Sequence, residues 1–351
     1  DMQRWRCHRW LTVNDNDDPA VINWDGFQFH QLDEAIETVV LPMRERLEAR
    51  GERLYVNLTY DSFVHQCPGV QYIHDDIAEY AEFALATFLH IQEKYGFVPD
   101  AWEVILEPDN SDWKGPAIGQ ALVATGDLLR AHGFTPEFIA PSSANTQRAI
   151  RDFDEMIEVP RVREYLTEFA YHRYGGVTDA RLRQIGERGN RYGIRTSMLE
   201  HMGSGHESLH ADLALANVSA WQQFALAYRT DDNGAQYIVI DDSGVGMGDR
   251  TRYLQQYFRF IREGAVRIAA VSSSVRVAPL AFVDPGGGTV VVVKTDGKSE
   301  LRVEGLPAGV YGVTYTTQSE TAVDAGDVTV GPDGVLSADI PRQGVITIHP
   351  R

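Results

Sequence analysis

The chain has 351 residues, more than one hydrophobic core usually organises, so one domain of barrel size with a smaller companion is expected. Asp and Glu number 50 against 32 Lys and Arg, and the formal net charge of −18 argues against phosphate backbones and anionic membranes as partners. With 43 % hydrophobic and 23 % charged residues the composition is globular; no apolar run approaches the roughly 18 residues of a membrane span, and two cysteines, Cys7 and Cys67, are too few for a disulfide scaffold or an all-thiolate zinc site.

Along the chain a unit repeats: a short apolar run rich in β-formers, a polar loop, then an amphipathic stretch closed by Gly. Strands are expected at Arg6–Val13, Leu54–Leu58, Ala101–Leu106, Glu137–Ala140, Thr167–Tyr171, Arg195–Leu199 and Gln236–Ile240. Between the first two, Leu32, Ile36, Val39, Val40, Met43 and Leu47 follow one helical face, with Pro42 as a kink and Gly51 as the cap. In the next helix Asp75 or Asp76 caps the start, Ile77, Tyr80, Ala81, Ala84, Leu85 and Phe88 form the stripe, and Gly96 closes it. Further helices are expected at Ile118–Leu129, Leu182–Tyr192, Leu213–Phe224 and Tyr253–Ile261. Such alternation implies a parallel sheet, closed as a (β/α)8 TIM-type barrel or open and doubly wound; seven strands are visible where a barrel has eight.

After Gly264 the pattern changes to short alternating strands at Val266–Ser272, Leu280–Val283, Thr289–Lys294, Glu300–Val303, Gly312–Thr316, Val328–Val330 and Val345–Ile348. Turn clusters at residues 284–288, 296–298 and 331–334 separate them, and the spacing reads as an antiparallel β-sandwich. The expected division is a barrel over residues 1–263 and a sandwich over 264–351.

Barrel chemistry sits at the carboxyl ends of strands. Glu107 follows Trp102-Glu103-Val104-Ile105-Leu106, and Glu200 follows Thr196-Ser197-Met198-Leu199. A carboxylate beside an apolar strand is costly unless it has partners or chemistry to do, and two facing one cavity are what glycoside hydrolysis needs. Two other motifs compete. Gly244-Val245-Gly246-Met247-Gly248 departs from a dinucleotide loop because its third Gly is one residue early. His206-Glu207-Ser208-Leu209-His210 spells a His-Glu-x-x-His zinc motif, but it lacks the flanking context of one and reads as a capping Glu with two surface histidines.

The strand-end glutamates resemble the acid/base and nucleophile of the retaining clan A glycosidases. Asn14–Pro19, Phe169–Gly176 and Phe258–Ile268 are similar to segments of glycoside hydrolase family 30 in particular. The resemblance implies that Glu107 is the acid/base and Glu200 the nucleophile, and that Tyr174 or His172 orients Glu200. Asn57, Tyr60, Asp61, Trp113, Asn145 and His201 would line the carbohydrate site, without metal or other cofactor. It also implies that the chain starts short of the family's first barrel strand, so that Asp1 marks a shortened start or an unusual closure. A secreted or periplasmic location is expected.

Two departures from the clan stand out. Leu106 occupies the position of an Asn that binds the sugar 2-hydroxyl, so Asn145 or Asn110 would have to replace that contact. Ile240, followed by Asp241-Asp242-Ser243, leaves the last strand without its aromatic. A barrel that binds glycans without cleaving them is the alternative reading.

Overall fold

The computed structural model describes residues 16, 18–61, 63, 76–226, 237–242 and 244–351; the expected strand Arg6–Val13 and both cysteines lie outside them. By contact density the chain divides into two compact units. One takes the described residues up to His201 with Leu215–Gln222, the other Met202–Ala214 with the described residues from Gln223 to Arg351.

The first unit opens with α1 (His30–Ala35), a π-helical turn (Ile36–Val40) and α2 (Leu41–Glu48). The irregular turn falls just before Pro42, which lacks the N–H a regular helix would need there. Gly51 has φ 73°, as its cap position requires. Of the expected stripe Ile36 is buried, whereas Val39 and Met43 are exposed.

Six parallel strands follow in sequential order, β1 (Asn57–Asp61), β2 (Ala101–Leu106), β3 (Glu137–Asn145), β4 (Leu166–Gly175), β5 (Arg195–Glu200) and β6 (Ala220–Trp221). Their connections are α3 (Ile77–Tyr95), α4 (Gly115–Ala131), α5 (Thr146–Met156) with the single turn α6 (Val162–Tyr165), and α7 (Asp179–Tyr192). The capping expectation for α3 holds: Asp76 accepts from Ala78 N at 2.8 Å and Gly96 adopts φ 71°. Ala101, Ile139, Ala170 and Leu199 form one buried cluster on the sheet, with Ala220 against it. The period of two along a strand puts Glu103, two residues past Ala101, and His172, two past Ala170, on that same face.

Two elements correct the sequence reading. The expected helix Leu213–Phe224 is instead a π-helical turn (Asp212–Ala216) and strand β6, because Asn217 takes φ 57° and breaks the helix. Ser219 N and Gln222 N then donate to Thr196 O and Met198 O, both at 2.8 Å, extending the ladder with β5. Gly186 of α7 permits this course, since a Cβ there would lie 2.7 Å from Leu215 O. The expected last parallel strand, Gln236–Ile240, is a hairpin arm instead. β7 (Ile238–Asp241) pairs antiparallel with β8 (Gly244–Met247), so the glycine run is a strand and not a nucleotide loop.

The second unit includes α8 (His206–Ala211), the β7–β8 hairpin, α9 (Asp249–Phe258) and the sandwich. The sandwich comprises β9 (Val266–Ile268), β10 (Val277–Val283), β11 (Thr289–Thr295), β12 (Ser299–Glu304), β13 (Gly309–Thr317), β14 (Val323–Val330), β15 (Val335–Ile340) and β16 (Gly344–Pro350). One sheet runs β14-β13-β16-β11-β10-β9 and the other pairs β12 with β15, a strand the sequence pattern did not single out. Val291, Val293, Val313, Ile346 and Ile348 alternate inward against Leu301, Leu336 and Ile340, each contributing roughly 1.5–3 kcal/mol of burial. Gln256 of α9 is buried yet satisfied: its amide donates to Thr316 Oγ1 and accepts from Thr314 Oγ1, both at 3.0 Å. The barrel-type parallel sheet followed by a β-sandwich is the architecture expected from the sequence. No helix among the described residues is long and apolar enough to cross a membrane.

Candidate active site

Glu107 follows β2 directly and Glu200 is the last residue of β5, three strands along the sheet. Glu107 adopts φ 46°, a left-handed conformation that costs a non-glycine residue about 1 kcal/mol or more. Its backbone is pinned there: its N–H donates to Ser142 O at 3.1 Å and its carbonyl accepts from Asn110 N at 2.8 Å. Asp109 ties the same loop to the end of β3 by accepting from Ala144 N at 2.8 Å and Asn145 N at 3.2 Å.

The Glu107 carboxyl is buried and held at both oxygens. Oε1 lies 2.9 Å from His172 Nδ1, and Oε2 accepts from Asn110 Nδ2 at 2.8 Å. Glu200 Oε1 accepts from the Tyr174 hydroxyl at 2.9 Å. One oxygen of each glutamate and one ring nitrogen of His172 all lie within 4.8 Å of one another. Among the described residues this is the group of His and carboxylate side chains whose donor atoms approach closely enough for a cation. The hydrogen bond already made between His172 and Glu107 matches a proton-sharing pair better than a ligand set.

His172 is fully buried. Desolvation alone would lower the imidazole pKa, but the hydrogen bond to Glu107 and the charges of Glu200, Glu103 and Glu107 outweigh it and raise the value above the usual histidine range. The structure therefore divides a role that the sequence left open: Tyr174 contacts Glu200, whereas His172 contacts Glu107.

The other expected residues fall into two groups. His201 lies beside the pair, its ring 5.1 Å from that of Tyr174. Tyr60 and Trp113 belong to a buried aromatic cluster around Tyr80, with ring centroids 5.1 and 5.3 Å from it. Asn57 donates to Glu103 Oε2 at 2.8 Å inside the sheet's inner face, and Asp61 ends β1 half-buried. Asn145 caps α5, its Oδ1 accepting from Gln147 N at 2.9 Å and Arg148 N at 3.3 Å. Of the two asparagines that could compensate for Leu106, Asn110 is thus the one on the Glu107 carboxyl.

Two residues near these strand ends escape a reading of the sequence alone. Trp221 ends β6, paired with Met198 on the strand that carries Glu200. The last strand of the parallel sheet thus ends on Trp221, and Ile240 belongs to a separate hairpin. Glu103 lies within an apolar strand, and its alternation with Ala101 is what turns it to the inner face. The His206–His210 segment is engaged within its own unit. The His206 ring stacks on Tyr253 at 4.3 Å, while His210 is buried, not surface-exposed, with Nδ1 3.0 Å from the Tyr257 hydroxyl. Glu207 pairs with Lys294.

Six parallel strands with helices between them thus bring two glutamates together at the carboxyl edge of one sheet, and a β-sandwich follows in the chain. Solved structures narrow the fold further. The chain is similar to a glycoside hydrolase family 30 subfamily 8 xylanase from Clostridium acetobutylicum, at 17 % identity and TM-score 0.73 over 94 % of this chain and 87 % of that one. It is also similar to a family 30 endoxylanase from Clostridium papyrosolvens, at 16 % and 0.71 over 95 % and 88 %. A third likeness is to the catalytic domain of the family 30 xylanase C from Talaromyces cellulolyticus, at 14 % and 0.70 over 97 % and 84 %. No protein-family model matches the sequence, and no curated protein does. The chain has a family 30-like fold and is divergent in sequence.

Proposed function

We propose that the protein is a retaining β-glycoside hydrolase acting by double displacement on a poly- or oligosaccharide or glycoconjugate. The observation that carries this reading is that one oxygen of Glu107 and one of Glu200 lie within 4.8 Å, an approach in keeping with the carboxyl separation of about 5–5.5 Å that retaining enzymes use. Glu200 attacks the anomeric carbon through Oε2 while Tyr174 holds Oε1. Glu107 delivers a proton to the leaving oxygen, breaking the glycosidic bond and forming a glycosyl ester on Glu200. Glu107 then takes a proton from water, which attacks the ester and releases the sugar with its original anomeric configuration.

In this reading Asn110 and His172 hold the acid/base, Trp221 offers an aromatic face to a sugar ring, and no cofactor takes part. His201, Asn57 and Asp61 remain candidates for sugar contacts. Residues 1–263 form the catalytic part and 264–351 a supporting sandwich, and the protein works outside the cytoplasm. The xylanases among the similar folds make xylan and aryl β-xylosides the first substrates to try. Glu107→Gln and Glu200→Gln should each abolish turnover, and NMR of the nascent product should show retention; inversion, or activity surviving both substitutions, would overturn the proposal. Leu106 favours one rival, a glycan-binding barrel without catalysis. That rival predicts saturable binding of a polysaccharide by a chain that cleaves none of the panel.

A further inference from the structure

Beneath the catalytic pair lies a third glutamate that the double displacement does not use. Glu103 is 3 % exposed on the inner face of β2, four residues before Glu107. Its Oε2 accepts from Asn57 Nδ2, while Oε1 has no hydrogen-bond partner. Ser142, whose carbonyl pins the Glu107 backbone, lies against the same carboxyl. His172, whose Nδ1 holds Glu107, has a buried Nε2 without a hydrogen-bond partner. A buried carboxylate is costly unless a cation or donors compensate, and Asn57 and the Ser142 hydroxyl supply only neutral donors.

The groups that act electrostatically on Glu103 come from every neighbouring element: Asn57 on β1, Ser142 on β3, His172 on β4, Glu200 on β5 and the Tyr80 phenol on α3. None is a fixed cation, and His172 is the one that can become one. Facing His172 are Glu103 from β2, Glu107 directly after it, Glu200 from β5 and Tyr174 from its own strand.

We propose that Glu103 is a positioning residue: the buried counter-charge of His172, which fixes how tightly the His172–Glu107 pair holds the proton that Glu107 delivers. This rests on the assignment of Glu107 as acid/base. Burial pushes the Glu103 carboxyl above its usual range, opposed by His172. Glu103 therefore ionises only as pH rises, and once ionised it strengthens proton binding by the pair. Removing that charge weakens the grip of the pair as a whole, whichever partner carries the proton.

The test is Glu103→Gln in the full chain, which keeps the shape and an acceptor for Asn57. The alkaline limb of kcat/KM for an aryl β-glycoside should move down by about one pH unit, and the His172 imidazole midpoint read by NMR should fall by about as much. KM at the optimum should stay put, and Glu103→Asp, which keeps the charge, should restore the original profile. If Glu103→Gln does not fold, Asn57→Leu carries the titration arm alone, read on the His172 imidazole without substrate: removing the donor holds the carboxyl neutral and should lower that midpoint. An unmoved limb with an unmoved His172 midpoint, or equal shifts in the Gln and Asp variants, would overturn the proposal. The imidazole titration needs no substrate, so it decides the role of Glu103 even if the chain cleaves none of the glycosides, which would count against the glycosidase reading alone.

Discussion

Replacing Tyr174 by Phe deletes one oxygen from the site. The ring keeps its neighbours, His201 at 5.1 Å and His172 at 6.2 Å, so the loss isolates the 2.9 Å hydrogen bond to Glu200 Oε1. A hydrogen bond to an ionised group contributes about 1.5–3 kcal/mol, and because Tyr174 is 41 % exposed, water replaces part of it, leaving about 1.5 kcal/mol. At about 1.4 kcal/mol per tenfold, kcat/KM should fall about tenfold. The acid limb should also rise, because the lost bond favoured the ionised form of the nucleophile. Initial rates on an aryl β-glycoside across pH 4–9 measure both effects. A loss below twofold with an unmoved acid limb would mean that Tyr174 does not support Glu200 and that the nucleophile assignment lacks its main structural partner.

Three further outcomes follow from other parts of the molecule. Trp221→Ala should raise KM by roughly tenfold and leave kcat within about threefold, as loss of an aromatic face worth about 1–1.5 kcal/mol requires; a fall in kcat alone would place Trp221 in packing instead. Gly186→Ala should lower stability by about 1–2 kcal/mol in urea unfolding, since its Cβ would meet the Leu215 carbonyl at 2.7 Å and backbone cannot swing aside; unchanged stability would show that β6 shifts freely. His210, held near pKa 4 by burial, is neutral when folded but binds a proton below about 6.5 when unfolded. Stability should therefore be complete above pH 6.5 and drop by up to about 3 kcal/mol as pH falls toward 4. His210→Gln should flatten that dependence, and an unchanged pH slope would contradict the burial argument.

What could be read from the sequence was what local pattern determines. Asp76 and Gly96 mark the ends of α3 because caps are single-residue chemistry, and Glu107 and Glu200 stand out because a carboxylate ending an apolar strand breaks the pattern visibly. β6 did not, since a two-residue strand shows no alternation and Leu213, Ala216 and Phe224 mimic a helical face. That misassignment moved the last strand to Gln236–Ile240 and hid Trp221. Glu103 went unnoticed because its partners, Asn57 and His172, come from other strands and only the sheet brings them together.

The pairing of Glu107 with Glu200 as acid/base and nucleophile is tested most directly by trapping. Incubation with a 2-deoxy-2-fluoro aryl glycoside of the preferred sugar, followed by proteolysis and mass spectrometry, should give one stoichiometric glycosyl adduct on the peptide containing Glu200, absent in Glu200→Gln. An adduct on Glu107, or rapid turnover with no adduct on either glutamate, would contradict the assignment.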